Sequence, residues 1–227
     1  MSRRDLLPKI WESERGLSAM LVFLGLSIFL ASPLVATRVL PEIWFEVLFG
    51  LLMLSGVIAI PRRGRLSFFV FGLVLSALAL RWASVATSSF VLMVVGHLFT
   101  LAAGGVLAAL ILLQVFREGP ITGHRIRGSI AVYLLIGFIW TSAYDLVYRC
   151  APGAFRFGYA ADEGMAHIHD LTYYSFITLT TIGYGDIVPA HPIARSLAMA
   201  EGLIGQLYPA ILIARLVSME LESRRKA

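Results

Sequence analysis

The sequence predicts an all-α membrane protein of six transmembrane helices, with a short re-entrant helix and a loop between the fifth and the sixth. Three observations predict it. Apolar residues make up 58% of the 227 residues and charged residues 15%, whereas a typical soluble domain is ~45–50% apolar and ~25% charged. Apolar stretches recur at the length that a bilayer core of ~30 Å demands of a helix, about 20 residues. Between the last two of them lies an apolar segment too short to cross, followed by a glycine-rich turn that no spanning helix would choose. Such a composition leaves no room for a sizeable water-soluble catalytic domain.

The first span, Gly16–Thr37, carries no charge. Arg3 and Arg4 precede it as in a signal peptide, but its length and the lack of a small-x-small cleavage site predict an uncleaved helix. The second, about Glu42–Ile60, has Glu42 and Glu46 near its start, and the third, Leu66–Trp82, has Arg81 near its end. These two are the shortest, and a tightly packed hairpin would give the same pattern. The fourth, about Ser88–Phe116, holds His97 as its only titratable group. The fifth is about Ser129–Tyr148, and the sixth, about Ile193–Val217, carries Arg195, Glu201 and Arg215. Residues 150–170 are polar and rich in turn formers, as an exposed loop would be. Leu171–Thr181 is moderately apolar and too short to span, which suggests a re-entrant helix. The expected organisation is a four-helix transmembrane domain over 1–127 and a second unit over 128–227. The segment after the sixth span is expected to be too short for a ligand-binding domain.

The net charge is +5, from 19 Lys+Arg against 14 Asp+Glu. With both termini cytoplasmic, fourteen of the basic residues fall inside and five (Arg38, Arg81, Arg149, Arg156 and Arg195) fall outside. That bias follows the positive-inside rule, predicts a multi-pass cell-membrane protein with both ends cytoplasmic, and leaves nothing that suggests nucleic acid. The clusters Arg62-Arg63-Gly64-Arg65 and Arg224-Arg225-Lys226 are explained by orientation alone, though anionic lipid head groups would suit them. The single cysteine, Cys150, excludes an internal disulfide framework. His167, His169, Asp170, Asp162 and Glu163 are read as a solvated loop in preference to a metal site, because their spacing has no fixed scaffold. No Ser/His, HExxH or paired intramembrane Asp constellation appears, so the chain is not expected to be an enzyme, and no cofactor is expected.

Residues Thr180-Thr181-Ile182-Gly183-Tyr184-Gly185-Asp186 closely resemble the selectivity filter of the potassium channel family. The surrounding order of spanning helix, outer loop, half-helix, filter and last helix matches too, over about Ser129–Val217. Ile182 stands where the family has valine, one β-branched residue for another. The chemistry suits these residue types: a dehydrated cation needs oxygen ligands on one axis, and Gly183 and Gly185 can take positive φ without a Cβ penalty. One strand of carbonyls cannot surround an ion, whereas four copies can, so the filter implies a homotetramer. The resemblance implies K+ as the permeant ion, held at Thr181, Ile182, Gly183 and Tyr184, with Gly185 completing the filter and the Thr181 hydroxyl helping to form the innermost site.

The same resemblance assigns filter support to Thr180, Asp186, Tyr173 and Tyr174, the two tyrosines bracing Tyr184 where many members have tryptophan. Ile177 replaces a glutamate that bonds the filter aspartate in some members, which leaves the partner of Asp186 open. Asp170 or Thr172 is the candidate N-cap of the half-helix, whose C-terminal end would favour a cation in the cavity. Glu201 is a candidate to bond the half-helix or the filter backbone, while His97 and Asp145 are either packing groups or functional ones. Gly205 stands at the spacing of the family's hinge glycine, and Pro209, one turn later, favours a kink. Close helix packing is the competing explanation for Gly205.

Six spans also resemble the voltage-gated plan, whose fourth helix bears regularly spaced arginines. The fourth span here has none, so weak or absent voltage dependence is expected. The expected function is a potassium-selective channel subunit whose partners are copies of itself, membrane lipids and K+. The alternatives are a non-selective monovalent cation channel of the same architecture, or a non-conducting assembly or regulatory subunit.

Overall fold

The structure, a computed structural model, describes residues 16–37, 39–41, 43–59, 65–117, 122–158 and 168–225. Along the chain run α1 (Gly16–Val35), α2 (Ile43–Ala59), α3 (Arg65–Thr87), α4 (Phe90–Val115), α5 (Gly123–Cys150), β1 (Phe155–Phe157), α6 (Ile168–Leu179), β2 (Ile187–Pro189) and α7 (Pro192–Arg225). Among the described residues, α1, α3, α4, α5 and α7 are long and apolar enough to cross a membrane. The expected second span is a helix of 17 residues, about 25 Å at 1.5 Å per residue and short of a ~30 Å core.

Local chemistry sets several of the boundaries. The turn between α3 and α4 needs only Ser88, at φ 50°, and Ser89, whose hydroxyl accepts the Leu92 N–H at 3.5 Å as the N-cap of α4. In α1 the helix widens into a π-turn over Leu26–Ala31 just ahead of Pro33, a residue that has no N–H to continue the regular ladder. α5 starts well before the expected Ser129, so the 127/128 division falls inside a helix.

One apolar core runs through the front helices and into α5. It joins Leu17 and Met20 of α1, Phe49 and Leu52 of α2, Val70 and Val74 of α3, Leu107 and Ile111 of α4, and Leu135 and Phe138 of α5. α4 and α5 approach so closely at Gly104 that a Cβ there would lie 2.7 Å from Ile139 Cγ1. β1 and β2 form a two-stranded antiparallel ribbon, pairing Phe155 with Pro189 and Phe157 with Ile187. A three-residue strand carries too little periodicity to be seen in sequence, which is why residues 155–157 read as loop.

At the end of the bundle where α3 stops and α4 begins, charged groups replace the apolar core. The Arg81 guanidinium donates to both oxygens of Glu46, Nε at 2.8 Å, and stacks over the Phe49 ring at 5.1 Å. His97 Nδ1–H donates to the Met93 carbonyl at 2.8 Å, and Nε2 lies 2.8 Å from Asp145 Oδ2. Arg149 Nε donates to the other Asp145 oxygen, also at 2.8 Å. The groups line a cleft of about 400 Å³ and tie α4 to α5. Asp145→Ala removes the shared acceptor, and the expected loss is about 3 kcal/mol, the low end for breaking a buried ion pair because the Arg149 side chain can re-solvate. Thermal unfolding of the purified protein in detergent measures it, and an unchanged midpoint would contradict this account.

Candidate functional site

The half-helix α6 packs between α5 and α7 and delivers the filter segment. Asp170 lies in its first turn, where a carboxylate complements the helix dipole. Thr172 lies inside the helix and donates to the Ile168 carbonyl at 2.8 Å, so it is not the cap. At its other end the Ile182 N–H donates to the Ile177 carbonyl at 2.9 Å and the Thr181 N–H to the Thr178 carbonyl at 2.9 Å. These two bonds form a Schellman motif, and Thr181 takes its left-handed position at φ 60°. Glycine normally fills that place, and a β-branched residue there is a strained outlier.

Positive φ then recurs at every second residue, at Thr181, at Gly183 (53°) and at Gly185 (81°). A regular strand points successive carbonyls to opposite sides, and alternating the sign of φ turns them to the same side. The two glycines behave as their lack of Cβ anticipated. Thr181 was foreseen as an oxygen donor, but its backbone conformation gave no sign in the sequence.

The Tyr173 hydroxyl donates to Asp186 Oδ2 at 2.7 Å, and the Ile187 N–H donates to Oδ1 at 3.1 Å. The Asp186 carbonyl accepts the Gly158 N–H at 2.6 Å, which fastens the C-terminal end of the segment to the β1–β2 ribbon. The phenol therefore occupies the partner position that Ile177 leaves vacant. Tyr174, one residue or about 100° further round the helix, points the other way: it is buried, with ring centroids 5.0 Å from Tyr144 and 5.3 Å from Phe155. Within one chain, no ring contact joins Tyr173 or Tyr174 to Tyr184 among the described residues. Tyr184 is 72% exposed and Ile182 55%.

Behind α6 sits a buried carboxylate. Glu201 is 0% exposed and accepts from the Tyr144 hydroxyl and the Ser175 hydroxyl, both at 2.5 Å. It thus bonds the half-helix and not the filter backbone. Ser175 also reaches the Gly137 carbonyl at 2.8 Å. At Gly137 itself a Cβ would lie 2.6 Å from the Phe176 ring, so α5 and α6 meet there without an intervening side chain. Gly205 plays the same part for α7, since a Cβ added to it would overlap the Leu179 carbonyl oxygen. That contact gives Gly205 a packing role in a helix that continues unbroken through Pro209. Thr180 donates through its hydroxyl to the Phe176 carbonyl at 2.6 Å.

Asp162, Glu163 and His167 lie outside the described residues. No group of three metal-ligating side chains occurs among the described ones.

An ion-channel family model matches residues 129–222, the stretch that contains every feature just described. This part of the chain therefore resembles an ion-channel domain. The channel half is similar to the two pore potassium channel c of Oryza sativa subsp. japonica, 38% identical over 94 residues, or 39% of this chain and 20% of that one. Protein LctB of Geobacillus stearothermophilus is 40% identical over 58 residues, 26% of this chain and 42% of LctB, and LctB of Bacillus caldotenax is 36% identical over the same length. The chain thus spans less than half the length of each of these relatives. No solved structure matches it.

Sequence reasoning singled out residues 180–186 and Glu201, which the structure brings to the two sides of α6, but missed Ser175, Tyr144 and Gly137. Their signal exists only in three dimensions: small or hydroxyl-bearing residues mean little until the helices that flank them are known. Glu201→Leu would leave the Tyr144 hydroxyl unpaired in the core, at an expected cost of about 1–3 kcal/mol, while Ser175 keeps the Gly137 carbonyl. A drop in the unfolding temperature of the purified channel checks this, with Glu201→Gln, which keeps an acceptor, expected to lose less.

Proposed function

We propose that four copies of this chain form a potassium-selective channel, with K+ passing in single file through rings of carbonyls from Thr181, Ile182, Gly183 and Tyr184. The observation that carries the proposal is the recurrence of positive φ at Thr181, Gly183 and Gly185, directly after a half-helix aimed into the protein. Such backbone has no internal partners for its carbonyls. At membrane depth it persists only where it is enclosed by protein or faces water, and ions supply what water would.

The tetramer is supported by what one chain leaves uncovered. Ile182, Tyr184, Met199, Leu203, Leu207 and Ile211 are exposed along the filter and α7, and only 11% of the spanning stretch of α7 is buried within the chain. Copies related by a fourfold axis would cover these surfaces and place Tyr184 against a neighbour. On this reading α2 is a sixth, short span, both termini are cytoplasmic in accord with the distribution of arginines, and Pro209 provides a bend in the inner helix. Potassium ions are substrate, and no cofactor takes part.

Voltage has little to act on. α4 contains no Lys or Arg, and Arg81 of α3 is neutralised by Glu46. Moving a charge through the field is what makes opening steep, and here the charge is paired.

Planar-bilayer recording tests both statements. With K+ on one side and Na+ on the other, the reversal potential is expected to follow K+, with Gly183→Ala abolishing selectivity or conduction. Comparable permeabilities would defeat the proposal. In symmetric K+, open probability is expected to change only weakly with voltage, and a steep conductance–voltage curve that survives removal of blocking ions would overturn the second statement.

A further inference from the structure

The Leu179 carbonyl is the point where α5, α6 and α7 converge. It is the last carbonyl of α6, two residues before the filter begins. The turn into the filter uses the carbonyls of Phe176, Ile177 and Thr178, and it leaves Leu179 without a backbone N–H among the described residues. The Tyr133 hydroxyl of α5 donates to it instead, at 3.2 Å. Gly205 of α7 presses against the same oxygen with no side chain between them. Three residues along α7, the Tyr208 ring stacks on Tyr133 with centroids 5.7 Å apart and planes 28° apart. The Tyr208 hydroxyl donates to the Ser129 carbonyl at 2.8 Å, which locks the stack onto α5.

We propose that Tyr133 and Tyr208 are a pair of positioning residues that set the inner end of the filter, Tyr133 through the Leu179 carbonyl and Tyr208 through Tyr133. The inference rests on the reading of residues 181–185 as the conduction filter. Its physical basis is that a carbonyl withdrawn from water must be paired or its cost is borne by the backbone that carries it. That backbone continues into the strained Thr181, so a shift of Leu179 is a shift of the innermost ion site. Pro209 adjoins Tyr208 and has no N–H for the Gly205 carbonyl, which makes α7 softest beside the stack. Bending there moves the Tyr208 ring, and the ring moves Tyr133. The inner helix and the filter are thus joined by a side-chain contact additional to their direct packing.

Tyr133→Phe removes the hydroxyl and keeps the ring stack. In protein reconstituted into K+-containing liposomes, two readouts are compared with wild type: amide hydrogen–deuterium exchange over 177–185, and the Na+/K+ permeability ratio from bi-ionic reversal potentials. Exchange at the Thr181–Gly183 amides is expected to rise about 5- to 10-fold, the factor that corresponds to losing one net hydrogen bond, and the permeability ratio is expected to rise severalfold. Tyr208→Leu is expected to change both in the same direction, and the double variant no more than the larger single one. A Tyr133→Phe protein with wild-type exchange and wild-type permeability ratio would overturn the proposal. If that variant does not assemble, Tyr208→Leu alone decides: changes in both readouts support the pair and unchanged values overturn it. Faster exchange in a protein whose wild type passes no current would sink the channel reading while leaving the positioning role in place. A selective wild type with indifferent variants would do the reverse.

Discussion

Backbone that leaves a helix must find other partners for its N–H and C=O groups, and the segment from Thr180 to Asp186 is such backbone. Each neighbouring element answers part of that demand. The Schellman bonds use the last N–H groups of the turn, Tyr133 takes the Leu179 carbonyl, and Tyr173 with the Ile187 N–H takes the Asp186 carboxylate. The β1–β2 ribbon holds the Asp186 carbonyl from outside. What remains unpaired among the described residues is the row of carbonyls between the two anchored ends. A segment pinned at both ends and unsatisfied in the middle is what the proposed conduction of dehydrated ions would require.

The pinning depends on polar groups placed where lipids cannot reach. Tyr144 and Asp145 are adjacent on α5 yet serve opposite neighbours. Tyr144 donates to Glu201 behind the half-helix, and Asp145 holds His97 of α4. Successive residues lie about 100° apart on a helix, so one helix can present a carboxylate to the front bundle and a phenol to the pore half. Hydrogen bonds of this kind hold membrane helices together where the hydrophobic effect between them is weak. Glycines 104, 137 and 205 contribute the other part, because each permits a contact that a Cβ would obstruct.

Much of this was legible in sequence, and the exceptions share a cause. Long apolar stretches located α1, α4 and α7, and the run from Thr180 to Asp186 marked the segment where positive φ recurs, because composition and a contiguous motif are local properties. Tyr173 was expected to brace Tyr184, and its bond to Asp186 within the chain was not foreseen, since which face of α6 meets which neighbour depends on how α5 and α7 flank it. The partner of Asp186 was open for the same reason. Gly205 was weighed as a hinge, whereas its most direct demand is steric: the Leu179 oxygen occupies the space a side chain would need. Residues 155–157 could not be read as a strand because pairing with 187–189 across an intervening helix is what makes them one.

Continuity of the core bears on how the front helices relate to the pore. Leu135 and Phe138 of α5 belong to the same apolar cluster as Leu107 and Ile111 of α4 and Leu52 of α2. A helix that slid along α5 would have to withdraw Gly104 from its contact with Ile139 and separate His97 from Asp145, exposing a buried carboxylate to hydrocarbon. Displacement of that kind needs a driving force, and in a field-driven sensor it comes from free arginines on the moving helix. α4 carries no such charge, and the Arg81 guanidinium of α3 is held by both oxygens of Glu46. The packing and the charge distribution therefore point the same way: the front helices are fastened to α5 by their core and by the His97–Asp145 contact, α4 brings no Lys or Arg to that interface, and Arg81 is already paired with Glu46.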